Sequence, residues 1–336
     1  MKKEIVNVGV VGMGFMGRAF AQIVTQLPDA YLIGVSEAVE AVGQAASQQF
    51  GVPYYRDVEE LIARPDLHAV IISTSEDAHV EPSVAALSCG KAVLVEKPIA
   101  DTVPGALKIM EAAKRSGAVL MVGHVLRFNT YWCTAKQAVD DGKIGEVQYV
   151  QSRLLNGTNA QDRLKGRCSL PLFLGVHQYD FVRWVAGAEP MRVYAQSQFN
   201  VLKAQGFNVE DTTLAIFTFS NGVLGMCETG WILPPGHPSR SDQRAWIQGS
   251  AGRMEIELLN QGLTLSTGEG TSYLGVAFMP RIRGEIRGAF VSEVQHFLDC
   301  VRENKEPLIT AQDALMALKM AEAVTESART HRIVEL

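Results

Sequence analysis

The chain opens on an apolar run, Ile5, Val6, Val8, Val10 and Val11, interrupted only by Asn7 and Gly9. A glycine-rich turn follows, then a helical stretch over 18–26 and a second apolar run over 31–35 that ends at Glu37. The alternation continues. Residues 38–50 read as helix stopped by Gly51, 52–55 as a short strand, 58–63 as a helix stopped by Pro65, and 69–73 as an apolar strand. A helix over 79–88, a strand over 92–96, a helix over 104–116 with Gly117 past its end, and a strand over 119–122 complete the series. Apolar strands of this continuity are buried on both faces. Alternating with helices, they predict a doubly wound parallel sheet.

The pattern changes near Gly123. After a helix over 131–141, strands come close together, at 147–154, 191–198, 211–219, 223–230, 244–248, 254–257 and 263–266. Asn221-Gly222 between two of them is a hairpin signal. One helix, 175–185, falls among the strands, and two more, 289–303 and 311–330, close the chain. This predicts an α+β domain, a mostly antiparallel sheet with helices on one face. The expected division is residues 1–123 and 124–336.

Composition narrows the partners. The 336 residues are 47% apolar and 20% charged, with a net charge of −5 and no basic block, so nucleic acid and anionic membrane are poor fits. No apolar run has the length of a membrane span. Cys89, Cys133, Cys168, Cys227 and Cys300 are widely spaced and form no C-x-x-C, which suits a reducing cytoplasm and gives no metal site.

The candidate chemistry begins at the first turn. Gly12, Gly14 and Gly17 have the spacing G-x-G-x-x-G, between a strand and a helix, with Glu37 twenty residues after Gly17. A dinucleotide needs each of these. Gly12 allows the tight turn, Gly14 lets backbone approach a pyrophosphate, Gly17 allows close helix–strand packing, and the helix N-terminus offers bare N–H groups. Phe15 and Met16 belong to the same cofactor-binding loop. A carboxylate at Glu37 accepts hydrogen bonds from ribose hydroxyls and repels a 2′-phosphate, so NAD is expected over NADP. Ser73, Thr74 and Glu76 follow the carboxyl end of a later strand, where ligands of open α/β sheets lie, and His79 is a further candidate contact. Glu96-Lys97-Pro98 ends the next strand, which aims Lys97 at the same crevice.

Gly12-x-Gly14-x-x-Gly17, Glu96-Lys97-Pro98, Gly123-His124-x-x-Arg127-Phe128 and Gly175-Val176-His177-x-x-Asp180, in this order, resemble the glucose–fructose oxidoreductase / inositol dehydrogenase (Gfo/Idh/MocA) family over nearly the whole chain. The resemblance implies a Rossmann domain followed by an α+β domain with a large open sheet. It implies NAD(P)-dependent oxidation or reduction at a secondary hydroxyl of a sugar or cyclitol. Lys97 matches the family's active-site lysine and His177 its proton-transferring histidine, while Thr74 and Glu96 match cofactor contacts. Arg127 and Arg163 are expected at the substrate, and a homodimer or homotetramer is expected through the open face of the sheet. Two departures stand out. Phe173 occupies the position, four before the histidine, where members commonly carry Asp, and Glu76 stands where Asn is frequent. Two other functions compete: NAD-dependent glycoside cleavage, and non-catalytic NAD(H) sensing, the latter suggested by Phe173.

Overall fold

The computed structural model describes residues 4–268 and 270–336. Its contacts group into two units, Met1–Phe128 with Phe278–Leu315, and Asn129–Ala277 with Met316–Leu336. The division follows no single cut in the chain, because a late segment packs with the first unit.

In the first unit β1 (Val6–Val11), α1 (Phe15–Gln26), β2 (Ala30–Ser36), α2 (Glu40–Phe50), β3 (Tyr54–Tyr55), α3 (Val58–Ile62), β4 (Ala69–Ile72), α4 (Val80–Ser88), β5 (Ala92–Glu96), α5 (Val103–Ser116) and β6 (Leu120–Gly123) succeed one another. The strands form one parallel sheet in the order β3-β2-β1-β4-β5-β6. All four residues of β4 and all five of β5 are buried, as the unbroken apolar runs require. The winding reverses between β1 and β4, so the ends of these two strands border the crevice in which such sheets bind ligands.

In the second unit come α6 (Thr130–Asp140), β7 (Val147–Gly157), α7 (Ala160–Leu164), a π-helical turn over Pro171–Gly175, α8 (Val176–Ala186), β8 (Pro190–Gln198), α9 (Val201–Ala204), β9 (Thr212–Phe219), β10 (Leu224–Leu233), β11 (Ser241–Gly249) and β12 (Arg253–Glu257). A small hairpin, β13 (Thr264–Thr267) and β14 (Gly270–Tyr273), ends this stretch. The chain then adds β15 (Arg281–Ile282), β16 (Glu285–Ile286) and α10 (Ala289–Glu303) to the first unit, before α11 (Ala311–Thr330) and β17 (Val334–Glu335). The large sheet runs β12-β11-β7-β10-β9-β8-β17, antiparallel throughout except between β7 and β10. The Asn221-Gly222 signal marks the β9–β10 turn. Gly222 has φ +87°, and the Asn221 side chain accepts a hydrogen bond from the Val223 N–H at 3.2 Å.

The two faces of this sheet differ. Val150, Ala195, Ala215, Phe217, Cys227 and Ile247 are buried on the face that α8 covers. The alternate residues Tyr149, Tyr194, Leu214, Ile216 and Leu224 are large, apolar and 39–51% exposed. Register places Ile216 between Tyr194 and Met226, and Leu224 beside Tyr149.

Candidate active site

The glycine turn is shaped by what surrounds it. Gly12 has φ +84°, and a Cβ there would lie 2.7 Å from the Thr74 nitrogen. A Cβ on Gly17 would lie 1.8 Å from the Gly12 carbonyl oxygen, so only glycine lets α1 start this close to β1. A Cβ on Gly14, by contrast, meets nothing within 4 Å. Gly14 is the N-cap of α1, with no side-chain hydrogen bond and no acid in the first turn. The helix therefore presents unsatisfied N–H groups and its positive dipole end beside an open backbone, an arrangement that fits a pyrophosphate. Phe15 is 66% exposed at this edge and Met16 is half-buried.

Glu37 follows β2. Its carboxylate accepts from the Met13 N–H at 2.7 Å and from the Val39 N–H at 3.0 Å, while Tyr54 donates to its carbonyl at 2.9 Å. The acid is thus tied to the glycine turn. Each carboxylate oxygen keeps lone-pair capacity for a ribose hydroxyl.

Ser73 braces the turn: its hydroxyl donates to the Gly12 carbonyl at 2.9 Å. This hydrogen bond fixes the carbonyl against which Gly17 packs. Thr74 lies beside it and donates to the Ala78 carbonyl at 3.1 Å. Glu76 is 7% exposed. His79 departs from the expectation of a cofactor contact. It is 1% exposed, with Nδ1 2.8 Å from the Pro98 carbonyl and Nε2 3.3 Å from the Thr74 carbonyl. Burial pushes its pKa down, so the ring is neutral and ties the loop after β4 to the turn after β5. The shorter contact assigns its single N–H to Pro98.

Glu96 and Lys97 end β5, and the Lys97–Pro98 bond is cis. The Lys97 N–H donates to the Glu96 carboxylate at 3.1 Å. Glu96 is 9% exposed, and burial raises its pKa against the opposing pull of the Lys97 charge. Lys97 itself is half-buried at the carboxyl edge of the sheet.

Arg127 also differs from expectation. It is 4% exposed, and its guanidinium pairs with Asp313 at 3.2 Å and approaches the Leu308 carbonyl. A cation committed in this way anchors α11 within the first unit and is not presented to a substrate.

In the second unit His177 is the second residue of α8, half-buried, directly after the π-helical turn. Single π turns of this kind recur at functional sites. Phe173 lies in that turn. Its ring sits 6.1 Å from that of Trp231, and the exposed Arg163 guanidinium lies over it, 5.5 Å from its centroid. Trp231 is fully buried in a cluster with Leu154, Leu170, Leu174 and Leu202, so it is core and not pocket lining. Glu210 pins the turn: its carboxylate accepts from the Leu170 N–H at 2.9 Å, and its carbonyl accepts from the Trp231 indole. Arg153 is held in ion pairs with Glu228 and Asp242, and His237 bonds the Ser239 carbonyl within its own loop. Sequence reasoning did not mark Glu210 or Glu293. The signal for Glu293 was available, since it occupies a core position of α10 between Phe290, Val294 and Phe297.

The parallel sheet in the order 3-2-1-4-5-6, the open glycine turn and the tethered acid after β2 define a dinucleotide-binding protein of the Rossmann class. The oxidoreductase family with an NAD-binding Rossmann fold matches residues 6–124, and its C-terminal alpha/beta domain matches residues 136–336. The chain belongs to this family. It is 28% identical to scyllo-inositol 2-dehydrogenase (NAD(+)) of Bacillus subtilis strain 168, over 98% of this chain and 96% of the relative. It is 26% identical to myo-inositol 2-dehydrogenase of Thermotoga maritima, over 98% of each. Among solved structures, scyllo-inositol dehydrogenase of Lactobacillus casei with bound NAD(H) and scyllo-inositol superposes with a TM-score of 0.84, at 25% identity and 99% coverage of both chains.

Proposed function

We propose that this oxidoreductase passes hydride between NAD and a secondary hydroxyl of a cyclitol or sugar derivative, with Lys97 and His177 as its working groups. The observation that carries the reading is Lys97, set at the carboxyl edge of the same sheet that holds the open glycine turn and Glu37. The inositol dehydrogenases among its relatives support the substrate class.

Oxidising a secondary alcohol removes a proton from oxygen and a hydride from carbon. Bound NAD⁺ supplies the hydride acceptor. Gly12, Gly14 and the first turn of α1 hold the pyrophosphate, and Glu37 takes the ribose hydroxyls and disfavours NADP. His177 takes the hydroxyl proton, since an imidazole exchanges protons near neutrality. Lys97 stabilises the oxyanion as it develops. Arg163, held over Phe173, faces solvent with in-plane donors that suit a substrate carboxylate or phosphate. Phe173 supplies no charge to the imidazole, so His177 works here without the acid that relatives commonly place at this position.

The test is absorbance of NADH during incubation of the chain with NAD⁺ or NADP⁺ and a panel of inositols, sugars and their acidic derivatives. Turnover with NAD⁺ on a polyol is expected, and Lys97→Ala and His177→Ala should each lower kcat by about 10²-fold or more. Unchanged turnover in both variants would sink the assignment. Tight NADH binding with no turnover on any member of the panel would favour the sensor reading that Phe173 motivates.

The open face of the large sheet supports a homo-oligomer, in which a second copy covers Tyr149, Leu214, Ile216 and Leu224. The five cysteines stand as thiols and not as disulfides, which suits a reducing cytoplasm.

A further inference from the structure

The helix that carries His177 starts at Leu170, widens into the π turn over Pro171–Gly175 and continues as α8. The first N–H groups of a helix have no partner within it. The Leu172 N–H donates to the Ser169 hydroxyl at 3.4 Å, just upstream. The Leu170 N–H donates at 2.9 Å to the Glu210 carboxylate, forty residues further along the chain. Glu210 is buried, and its acid also faces the positive end of the helix. It is itself held from several sides. Its carbonyl accepts from the Trp231 indole. The neighbouring Asp211 donates its N–H to the Gln198 carbonyl at 2.7 Å and accepts from the Trp231 N–H at 3.2 Å. The Asp211 carboxylate accepts from the N–H groups of Asn200, Val201 and Leu202 at 2.6–2.8 Å. These bonds tie Glu210 and Asp211 to β8, α9 and β10 together. The far end of the π turn is tight as well, since a Cβ on Gly175 would lie 2.5 Å from the fully buried Tyr179 ring and hydroxyl.

We propose that Glu210 is a positioning residue for His177, acting through the π-helical turn; this rests on the proton-transfer role given to His177 above. The sheet fixes the buried side of α8. Ser152 of β7 bonds the Gln178 side chain, and Tyr179 and Phe181 are fully buried. His177 lies off that side, half-buried, and four residues after the half-buried Phe173. Its surroundings therefore depend on the winding of the segment before it. A π turn holds one residue more than an α turn and lasts only where the structure around it imposes it. With Leu170 held by Glu210 and Gln178 held by β7, the residues between them are accommodated as the wide turn. Release of Leu170 frees the turn to relax toward ordinary α winding, in which each residue advances by about 100°. Phe173 then rotates relative to His177, and the imidazole leaves the place where it takes the hydroxyl proton. Small misplacements of a reacting group cost large factors in rate.

The experiment uses the full chain with Glu210→Met and Glu210→Gln, each alone and combined with His177→Ala. Glu210→Gln should keep kcat within about threefold of wild type, since its amide oxygen still accepts from the Leu170 N–H. Glu210→Met, matched in length but without an acceptor, should lower kcat by about tenfold or more while the NADH Kd moves less than about threefold. In the His177→Ala background the same Met change should lower the residual kcat by less than about twofold, because the group it displaces is already gone. Equal kcat in the Met and Gln variants, an equal loss in both backgrounds, or a lower Tm with unchanged kcat overturns the proposal. Without substrate, the imidazole NMR signal that disappears in His177→Ala should shift in Glu210→Met and stay in place in Glu210→Gln, and a signal unmoved by either change overturns it too. If the Met variant does not fold, Glu210→Asp, which withdraws the carboxylate by one methylene, takes its place with the same expectations. The imidazole signal does not depend on turnover. A shifted signal in a protein that oxidises no polyol would sink the function proposed above and leave the placement of His177 by Glu210 standing.

Discussion

Gly14 and Gly17 belong to one motif for opposite reasons. Gly17 is required by the protein itself, because its Cβ would sit 1.8 Å from a backbone oxygen. Gly14 has open space around it, so nothing in the protein itself requires a glycine there. Gly17→Ala should lower thermal stability by several degrees and weaken NADH binding together, as a forced backbone shift in a packed turn costs about 1–3 kcal/mol. Gly14→Ala should leave Tm nearly unchanged and raise the NADH Kd, because the added methyl intrudes only where the pyrophosphate lies. Thermal melts with and without NADH check both, and a Gly14→Ala protein that binds NADH normally would remove the turn from the site. The motif was legible in the sequence because spacing alone encodes it. The burial of His79 was not legible, since a polar residue near a strand end looks the same whether it meets a ligand or a neighbouring carbonyl. Arg127 failed for a related reason: its partner Asp313 is far away in sequence.

At the level of elements, α10 shows how much of a site an amphipathic pattern conceals. Its bounds follow directly from the sequence, yet its buried acid matters more than its length. Glu293 also makes stability depend on pH. Its folded pKa is raised well above the carboxylate range by burial and then by Glu96, so above about pH 4.3, the unfolded reference, the folded state binds the extra proton. Stability from this group is therefore lost as pH rises, by up to about 1.4 kcal/mol per pH unit until the folded group itself titrates. Glu293→Gln should be progressively more stable than wild type between pH 5 and pH 8, and a difference in Tm that stays flat across that range would show that Glu293 is not protonated. The π-helical turn before α8 left no trace in the hydrophobic pattern, because one widened turn adds no period of its own. What the sequence did offer was Phe173, whose ring lies near both Trp231 and Arg163.

At the scale of the whole molecule, alternation along β7 to β10 determined both a core and a second apolar surface. The strands carry large apolar residues on the face that α8 covers and again at Tyr149, Tyr194, Leu214, Ile216 and Leu224 on the other. A sheet face destined for water would alternate with polar residues. A contiguous apolar patch is the mark of an interface, and a twofold axis lets one patch cover its own copy. Ile216 sits near the middle of that patch, flanked by Tyr194 and Met226, and is 51% exposed. Ile216→Asp leaves the folded chain little changed, since a substitution at an exposed strand position costs about 0.5 kcal/mol or less. In an interface the same change buries two unpaired carboxylates across a twofold axis, which costs several kcal/mol. Light scattering behind a sizing column should therefore give wild type as a multiple of the 36.6 kDa chain and Ile216→Asp as a single chain with an unaltered circular dichroism spectrum. A wild-type protein that elutes as one chain at micromolar concentration would mean that this face is covered by something other than its own copy.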